Sequence, residues 1–304
     1  MGISQYIKEI GRGKDGARSL SRAQASDLFG QLLDGTVTDL EVGAFCLAMR
    51  IKGETPQEMA GFLDATYTRI HRIPLASEAR AVVLPTYNGA RKLPVLTPLL
   101  ALLLARQGAA VLVHGMATES TRVFSSSVFQ AMGIAITESI EPLVNGRVAF
   151  VPTGLLCTGL QRLLDVRRVV GLRNPAHSLV KLMNPCAGPA VVVGSYTHPE
   201  YAVSMGAVFE LMGSTAMLLR GTEGEPVADA RRAPRMDAFR AGQRLVLQEA
   251  QSGPLENLPD LPVGTNAAAT ANYIRAVLDG HKPVPDPIAR QVEQLLCLCS
   301  HATS

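Results

Sequence analysis

The sequence contains no tryptophan, and only six tyrosines and eight phenylalanines occur among its 304 residues. So sparse an aromatic set excludes a platform on which successive nucleic-acid bases stack; a strand held by this chain would be held through backbone charge. Cysteine is scarce as well. The five, Cys46, Cys157, Cys186, Cys297 and Cys299, are odd in number and sit in apolar surroundings, which excludes a disulfide framework and fits reduced, buried thiols. Cys297 and Cys299 form a C-x-C pair near His301, but no second pair or histidine spacing completes a metal site. No apolar run is long enough to cross a bilayer: the longest, Leu93 to Ala105, is broken by Pro94 and Pro98. The opening MGISQYIKEIGRGKDG lacks the apolar core of a secretory signal, so a cytoplasmic protein without membrane association is expected.

Apolar residues make up 47% of the chain and charged residues 18%, a balance that excludes disorder and is ample for a core. The net charge of +3 is too mild to announce a polyanion partner by itself. Its distribution says more. Between Arg162 and Lys181, Arg162, Arg167, Arg168, Arg173 and Lys181 face only Asp165, and between Arg231 and Arg244 five arginines face only Asp237. Such clusters suit a polyanion.

The first seventy residues read as helices. Thr38 with Glu41, and Thr55 with Pro56 and Glu58, have the spacing of capped helix starts, and Leu28, Phe29, Leu32 and Leu33 mark an amphipathic helix ending at Asp34-Gly35. After HRIPLASEAR the pattern becomes short β-branched runs (AVVLP, AAVLVHG, PAVVVGS, TAMLLRG) alternating with helical segments at 93–107, 121–132 and 198–212, which predicts a largely parallel sheet. The stretch 165–185 reads as helical with a break near Asn174-Pro175, its apolar Val169, Val170, Leu172, Leu179, Val180 and Leu182 packed inward. Two further helices are expected at about 267–279 and 287–299. The fold class is therefore α/β: a small helical domain over 1–75, joined by helices from about 158–185, and a larger α/β domain over 76–304.

The chemistry-bearing stretch is LPTYNGARKLPVLTP, residues 84–98, where a strand turns at Asn88-Gly89 toward a helix and places Arg91 and Lys92 at its mouth. At a strand-to-helix turn, free backbone amides commonly meet anions. An ordinary turn with solvated basic residues reads equally from this segment alone. His177 reads as structural, His198 as a helix cap, and the serines at 125–127 lack the glycines of a nucleophile elbow.

The order of YNGARK, LTPLLA, VHG at 113–115, RVFSSSVFQAMGI, GLRNPAHSLVKL, HPEY and LLRGTEGE resembles the anthranilate phosphoribosyltransferases and the wider class II nucleoside phosphorylases, almost end to end. Among them the chain looks most like the YbiB-type branch. The resemblance implies a fold with a helical N-terminal domain and a parallel sheet, and it shows losses. The enzymes' G-T-G-G-D loop is PTYNG here, keeping Thr86 but replacing two glycines with Tyr87 and Asn88; their K-H-G-N is VHGM, keeping His114 and Gly115 but losing the cation and the amide to Val113 and Met116. Their magnesium-holding acids are matched only by Glu223 and Glu225, at a different spacing. Arg167 matches an arginine that receives the acceptor's carboxylate.

By resemblance, YbiB-type proteins are homodimers, joined through the N-terminal helices, that bind DNA or RNA along a basic groove without sequence preference. That implies a nucleic-acid partner for Asn88, Arg91, Lys92, His114, Arg122, Arg167, Arg168, Arg173 and Lys181, with no cofactor and no catalytic residue. Two alternatives stand beside it. One is a transferase of changed substrate, using Thr86, Asn88 and Thr97 around a phosphate of phosphoribosyl pyrophosphate with Mg2+ on Glu223 or Glu225; the other is a non-catalytic protein for a small phosphorylated ligand.

Overall fold

A computed structural model of the protein describes residues 2–13, 15–76, 79–255 and 258–301, the side chain of His301 excepted, so the expectation about His301 lies outside the described residues. Four helices come first: α1 Ser4–Ile10, α2 Arg22–Asp34, α3 Asp39–Lys52 and α4 Pro56–Tyr67. Capping boxes open three of them. Ser21 with Gln24, Thr38 with Glu41, and Thr55 with Glu58 each exchange side-chain and backbone hydrogen bonds, as the sequence predicts for the last two. Gly35, in the left-handed region at φ 69°, closes α2. The bundle packs around Phe29, stacked on Phe62 at 4.7 Å between ring centroids, with Phe45 edge-on to both.

The seven-stranded sheet runs in the order β3-β2-β1-β4-β5-β6-β7. The strands are β1 Ala81–Thr86, β2 Ala110–Gly115, β3 Val148–Pro152, β4 Ala190–Tyr196, β5 Ala216–Arg220, β6 Met236–Arg240 and β7 Gln243–Gln248. The first five are parallel, while β6 and β7 form an antiparallel hairpin on one edge. The remaining helices are α5 Thr97–Arg106, α6 Ser125–Ala131, α7 Thr153–Leu156, α8 Thr158–Val170, α9 Ala176–Leu179, α10 Pro199–Leu211, α11 Ala267–Leu278 and α12 Asp286–His301. The protein is thus a small helical N-terminal domain with a larger α/β domain whose sheet is mostly parallel.

Because strand side chains alternate, the sheet divides the core in two. Val83, Leu112, Val192 and Leu218 join the cluster that includes Phe29, Phe45 and Phe62; Val82, Leu84, Val111, Val113, Val191 and Val193 join Leu99 and Leu100 of α5, Ile274 of α11 and Ile288 of α12. Both faces are covered, which is why these strands read as unbroken apolar runs. The chain winds outward from β1 to β2 and β3, then returns to lay β4 on the other side of β1. The strand order therefore reverses at β1/β4, the point where open α/β sheets leave a crevice at the carboxyl ends of their strands.

Several expectations change. Val169 is 89% exposed, and Val170 and Leu172 are also exposed, whereas Leu179, Val180 and Leu182 are buried. The break comes early, at Gly171 (φ 75°), and the last turn of α8, with Leu172 just beyond it, carries its apolar residues outward. Helix α5 starts at Thr97 and not at Leu93, because the loop after β1 continues through Pro94. Four cysteines are buried, but Cys297 is exposed. Among the described residues, no helix is long and apolar enough to cross a membrane.

Helix α8 lies so close to α2 that a Cβ added at Gly159 would stand 2.1 Å from the carbonyl oxygen of Leu33, whereas one at Gly43, inside α3, would meet nothing within 4 Å. Gly159→Ala is expected to destabilise by about 2 kcal/mol through the forced shift of α8. Gly43→Ala should stabilise by about 0.5–1 kcal/mol by lowering unfolded-state entropy. Urea denaturation of the two variants checks the contrast, and equal effects would contradict the packing described.

Candidate functional site

The crevice at β1/β4 is bordered by the loop after β1 (87–96), the turn after β5 (221–225) and the start of α10. Its organising group is the Glu225 carboxylate, 1% exposed. Glu225 Oε1 accepts from the backbone amides of Asn88 and Gly89, both at 2.8 Å. Oε2 accepts from the Thr97 hydroxyl at 3.1 Å and from the Thr86 hydroxyl, whose oxygen lies 2.7 Å from Ser125 Oγ. Opposite, Lys181 Nζ donates to the Gly224 carbonyl at 2.8 Å, which also accepts from Ser195 Oγ at 2.7 Å. Burial pushes the Lys181 ammonium down to about 8 even though the nearby Glu225 charge favours its protonated form.

A second carboxylate closes the same loop from outside. Glu223 Oε2 accepts from the amides of Arg91 at 2.6 Å and Lys92 at 3.1 Å, while the Glu223 carbonyl accepts from Asn88 Nδ2 at 2.9 Å. Close approach is built into the glycines. A Cβ at Gly224 would fall 1.9 Å from Asn88 Nδ2, and one at Gly115 would fall 2.0 Å from the Thr86 carbonyl. The amides that sequence reasoning leaves free for an anion are thus satisfied by two acids of the chain itself. Thr86 and Thr97, expected around a phosphate, surround a carboxylate.

The expected site residues separate into groups. Arg91 and Lys92 carry exposed side chains on the outer edge of the loop, and Asn88 is buried at the cavity wall. Arg122 donates to the Asn88 carbonyl at 2.9 Å and pairs with Glu119, which also pairs with Arg167 at 2.8 Å, so two guanidiniums share one carboxylate. Arg168 is exposed and pairs with Asp165 at 3.0 Å. Arg173 lines a cavity of about 520 Å3 with Lys181, His177, Ser195, Thr197 and Tyr201. Burial, together with the charges of Arg167 and Arg122, holds the Arg173 guanidinium down at about 10. Glu54 and Glu200 also line this cavity, but neither forms an ion pair with Arg173.

One expectation fails on burial. His114 is wholly enclosed, its Nδ1 2.8 Å from the Tyr87 hydroxyl, and reaches no groove surface. Tyr87 is packed, only 1% exposed, with its hydroxyl oxygen also 3.0 Å from Thr153 Oγ1. Nor does the arginine run 231–244 join the crevice as free charge: Arg231 pairs with Asp229, and Arg235 and Arg244 both pair with the buried Asp237 of β6. Glu119 was not anticipated, although its i,i+3 spacing to Arg122 was visible; Ser125, Ser195 and Thr153 carried no local signal. Magnesium does not fit Glu223 and Glu225 as arranged, because both acids already accept hydrogen bonds from the loop.

A helical bundle joined to a parallel sheet, with the strand-end loops facing each other at β1/β4, defines a phosphoribosyltransferase-like protein. The comparisons agree. Residues 4–69 match the glycosyl transferase family, helical bundle domain. The chain is 38% identical to the uncharacterized protein YbiB of Escherichia coli (strain K12), covering 98% of this chain and 94% of that one. It is 30% identical to anthranilate phosphoribosyltransferase of Leifsonia xyli subsp. xyli, covering 88% of this chain and 78% of that one. The crystal structure of anthranilate phosphoribosyltransferase from Thermus thermophilus superimposes with a TM-score of 0.72 at 22% identity, over 97% of this chain and 88% of that one. The chain belongs to the anthranilate phosphoribosyltransferase-like family.

Burial drives both His114 and His177 down to about 3, from an ordinary value of 6.5. Each is neutral in the folded chain, while the unfolded chain takes up a proton at each below pH 6.5. Stability is therefore fully present above pH 6.5 and falls with pH below it, tending toward about 1.4 kcal/mol per unit for each histidine. Between pH 6.5 and 5, His114→Gln should reduce the slope of unfolding free energy against pH by about one proton. An unchanged slope in urea titrations would show that His114 is protonated in the folded state.

Proposed function

We propose that the protein binds nucleic acid without sequence preference, using the cleft of a phosphoribosyltransferase-like fold for grip and not for turnover. The observation that carries this is the uneven charge of the crevice. Glu225, enclosed in the fold, occupies the inner loop amides and both hydroxyls that a pyrophosphate would need. Around them, Arg91 and Lys92 have exposed side chains with no acidic partner among the described residues, Arg122 and Arg167 share Glu119, and Arg173 has no paired acid. A polyanion relieves that excess. With Tyr87 enclosed and no tryptophan available, phosphate contacts supply the affinity, and base identity matters little.

A homodimer and a cytoplasmic setting belong to the same proposal. Leu28, Phe29, Leu32 and Phe45 are core and unavailable for a partner, but α3 presents Leu40, Leu47 and Ile51 to solvent. These apolar side chains on an N-terminal helix suit a second copy.

The expected behaviour is electrostatic. Log affinity for a single-stranded oligonucleotide should fall with log salt at a slope of about −0.7 per phosphate neutralised. Reversing two charges in Arg91→Glu/Lys92→Glu should weaken binding at least roughly tenfold and flatten the slope by about 1.4. A gel-shift series across salt reads both effects. Binding insensitive to salt, or unaffected by the double reversal, defeats the proposal, as does pyrophosphate release from phosphoribosyl pyrophosphate at an enzymic rate.

A further inference from the structure

Glu223 is held in an unusual way. Its backbone sits at φ 53° and ψ 20°, one of only two non-glycine positive-φ residues among those described, and glutamate gains nothing from this conformation locally. What the strain achieves is placement. It turns the carboxylate onto the consecutive amides of Arg91 and Lys92, with Leu93 N at 3.5 Å from Oε2. A row of convergent amides is an anion receptor, and here its occupant is an anion of the same chain.

The two acids differ in how they are held. Glu225 is enclosed and bound by two amides and two hydroxyls, so its removal dismantles the loop. Glu223 is half-buried at the rim, bound through backbone amides alone, beside the exposed side chains of Arg91 and Lys92. A group carrying acceptor oxygens and a full negative charge can replace it without disturbing the inner carboxylate.

We propose that the amides of residues 91–93 are a phosphate site in the nucleic-acid interface, and that Glu223 is its internal placeholder. In the free protein the carboxylate satisfies the amides; when a strand arrives, one phosphodiester group takes them over, flanked by Arg91 and Lys92, and Glu223 swings outward into solvent. The exchange conserves the hydrogen bonds of the amides, and the released carboxylate is hydrated in solvent. Since Glu223 competes as a tethered ligand, it lowers the apparent affinity for phosphate by the fraction of time the amides are free. This deepens the nucleic-acid reading and rests on it for the identity of the ligand.

The test uses the full chain with Glu223→Gly, which removes the carboxylate and suits the positive φ, and Glu223→Gln, which keeps the side-chain shape without charge. Glu200, in the first turn of α10 on the cavity wall, does not contact the amides of residues 91–93, so Glu200→Gln removes one charge from the same crevice and serves as the electrostatic control. Inorganic phosphate titrated calorimetrically should bind Glu223→Gly at least about tenfold more tightly than wild type. Oligonucleotide affinity should rise by about tenfold in Glu223→Gly, less in Glu223→Gln, and no more than about twofold in Glu200→Gln. If wild type binds oligonucleotide while Glu223→Gly gains no more than the control, or binds inorganic phosphate no better than wild type, the placeholder is overturned and the reading of the cleft survives. If wild type binds no oligonucleotide at low salt but Glu223→Gly gains inorganic phosphate, the nucleic-acid reading falls and the amide site stands.

Discussion

The buried carboxylate of Glu225 is the interaction on which the crevice depends. Removing such an ion from water costs several kcal/mol, and it is tolerable only where hydrogen bonds replace the lost hydration. Here two amides and two hydroxyls do so, each contributing about 1.5–3 kcal/mol to a charged acceptor, with the Lys181 ammonium nearby. Those bonds offset the cost of burial, and what the arrangement fixes is geometry. Through one side chain the end of β1, the start of α5, the start of α6 and the turn after β5 are fixed relative to one another.

Charge in the rest of the molecule follows a consistent division. Where arginines have structural work they are matched with acids: Arg22 with Asp64, Arg69 with Asp34, Arg235 and Arg244 with Asp237. At the crevice the matching stops. Glu119 serves two guanidiniums, and Arg173 is largely enclosed without a carboxylate of its own. Burial first, and then the like charges of Arg167 and Arg122, hold the Arg173 guanidinium down, and a protein selected only for stability would not leave it without a carboxylate, which is the physical reason to look for an anion there.

Much of the fold was legible because its signals are local. The capping pairs Thr38–Glu41 and Thr55–Glu58, and the β-branched runs of β1, β2, β4 and β5, declare themselves within a few residues. Strand β3 was harder, since its five residues end in Pro152 and only two are fully buried; β7, exposed along most of its length, lacks the apolar run of an inner strand. The site was legible as a location and misleading as chemistry. Asn88-Gly89 marked the loop, and GTEGE marked its acids, but nothing local says that residues some 135 positions apart satisfy one another. The arginine run 231–244 failed for the same reason: Arg231, Arg235 and Arg244 are matched by Asp229, Asp237 and Glu249, where composition showed only an excess.

The placement of β4 beside β1 carries a consequence for biosynthesis. Ala81 pairs with Ala190, so β1, the middle of the five parallel strands, emerges from a ribosome long before its second neighbour exists. Until then one edge of a strand that is buried along its whole length in the finished fold is unpaired, and the amides beyond its carboxyl end await carboxylates that come later still. Long-range parallel pairing of this kind is slow and exposes aggregation-prone edges. Between completion of β2 and arrival of the β5 turn the nascent chain thus carries an unpaired strand edge and a helical bundle whose packing partners, α8 and α10, are still being made.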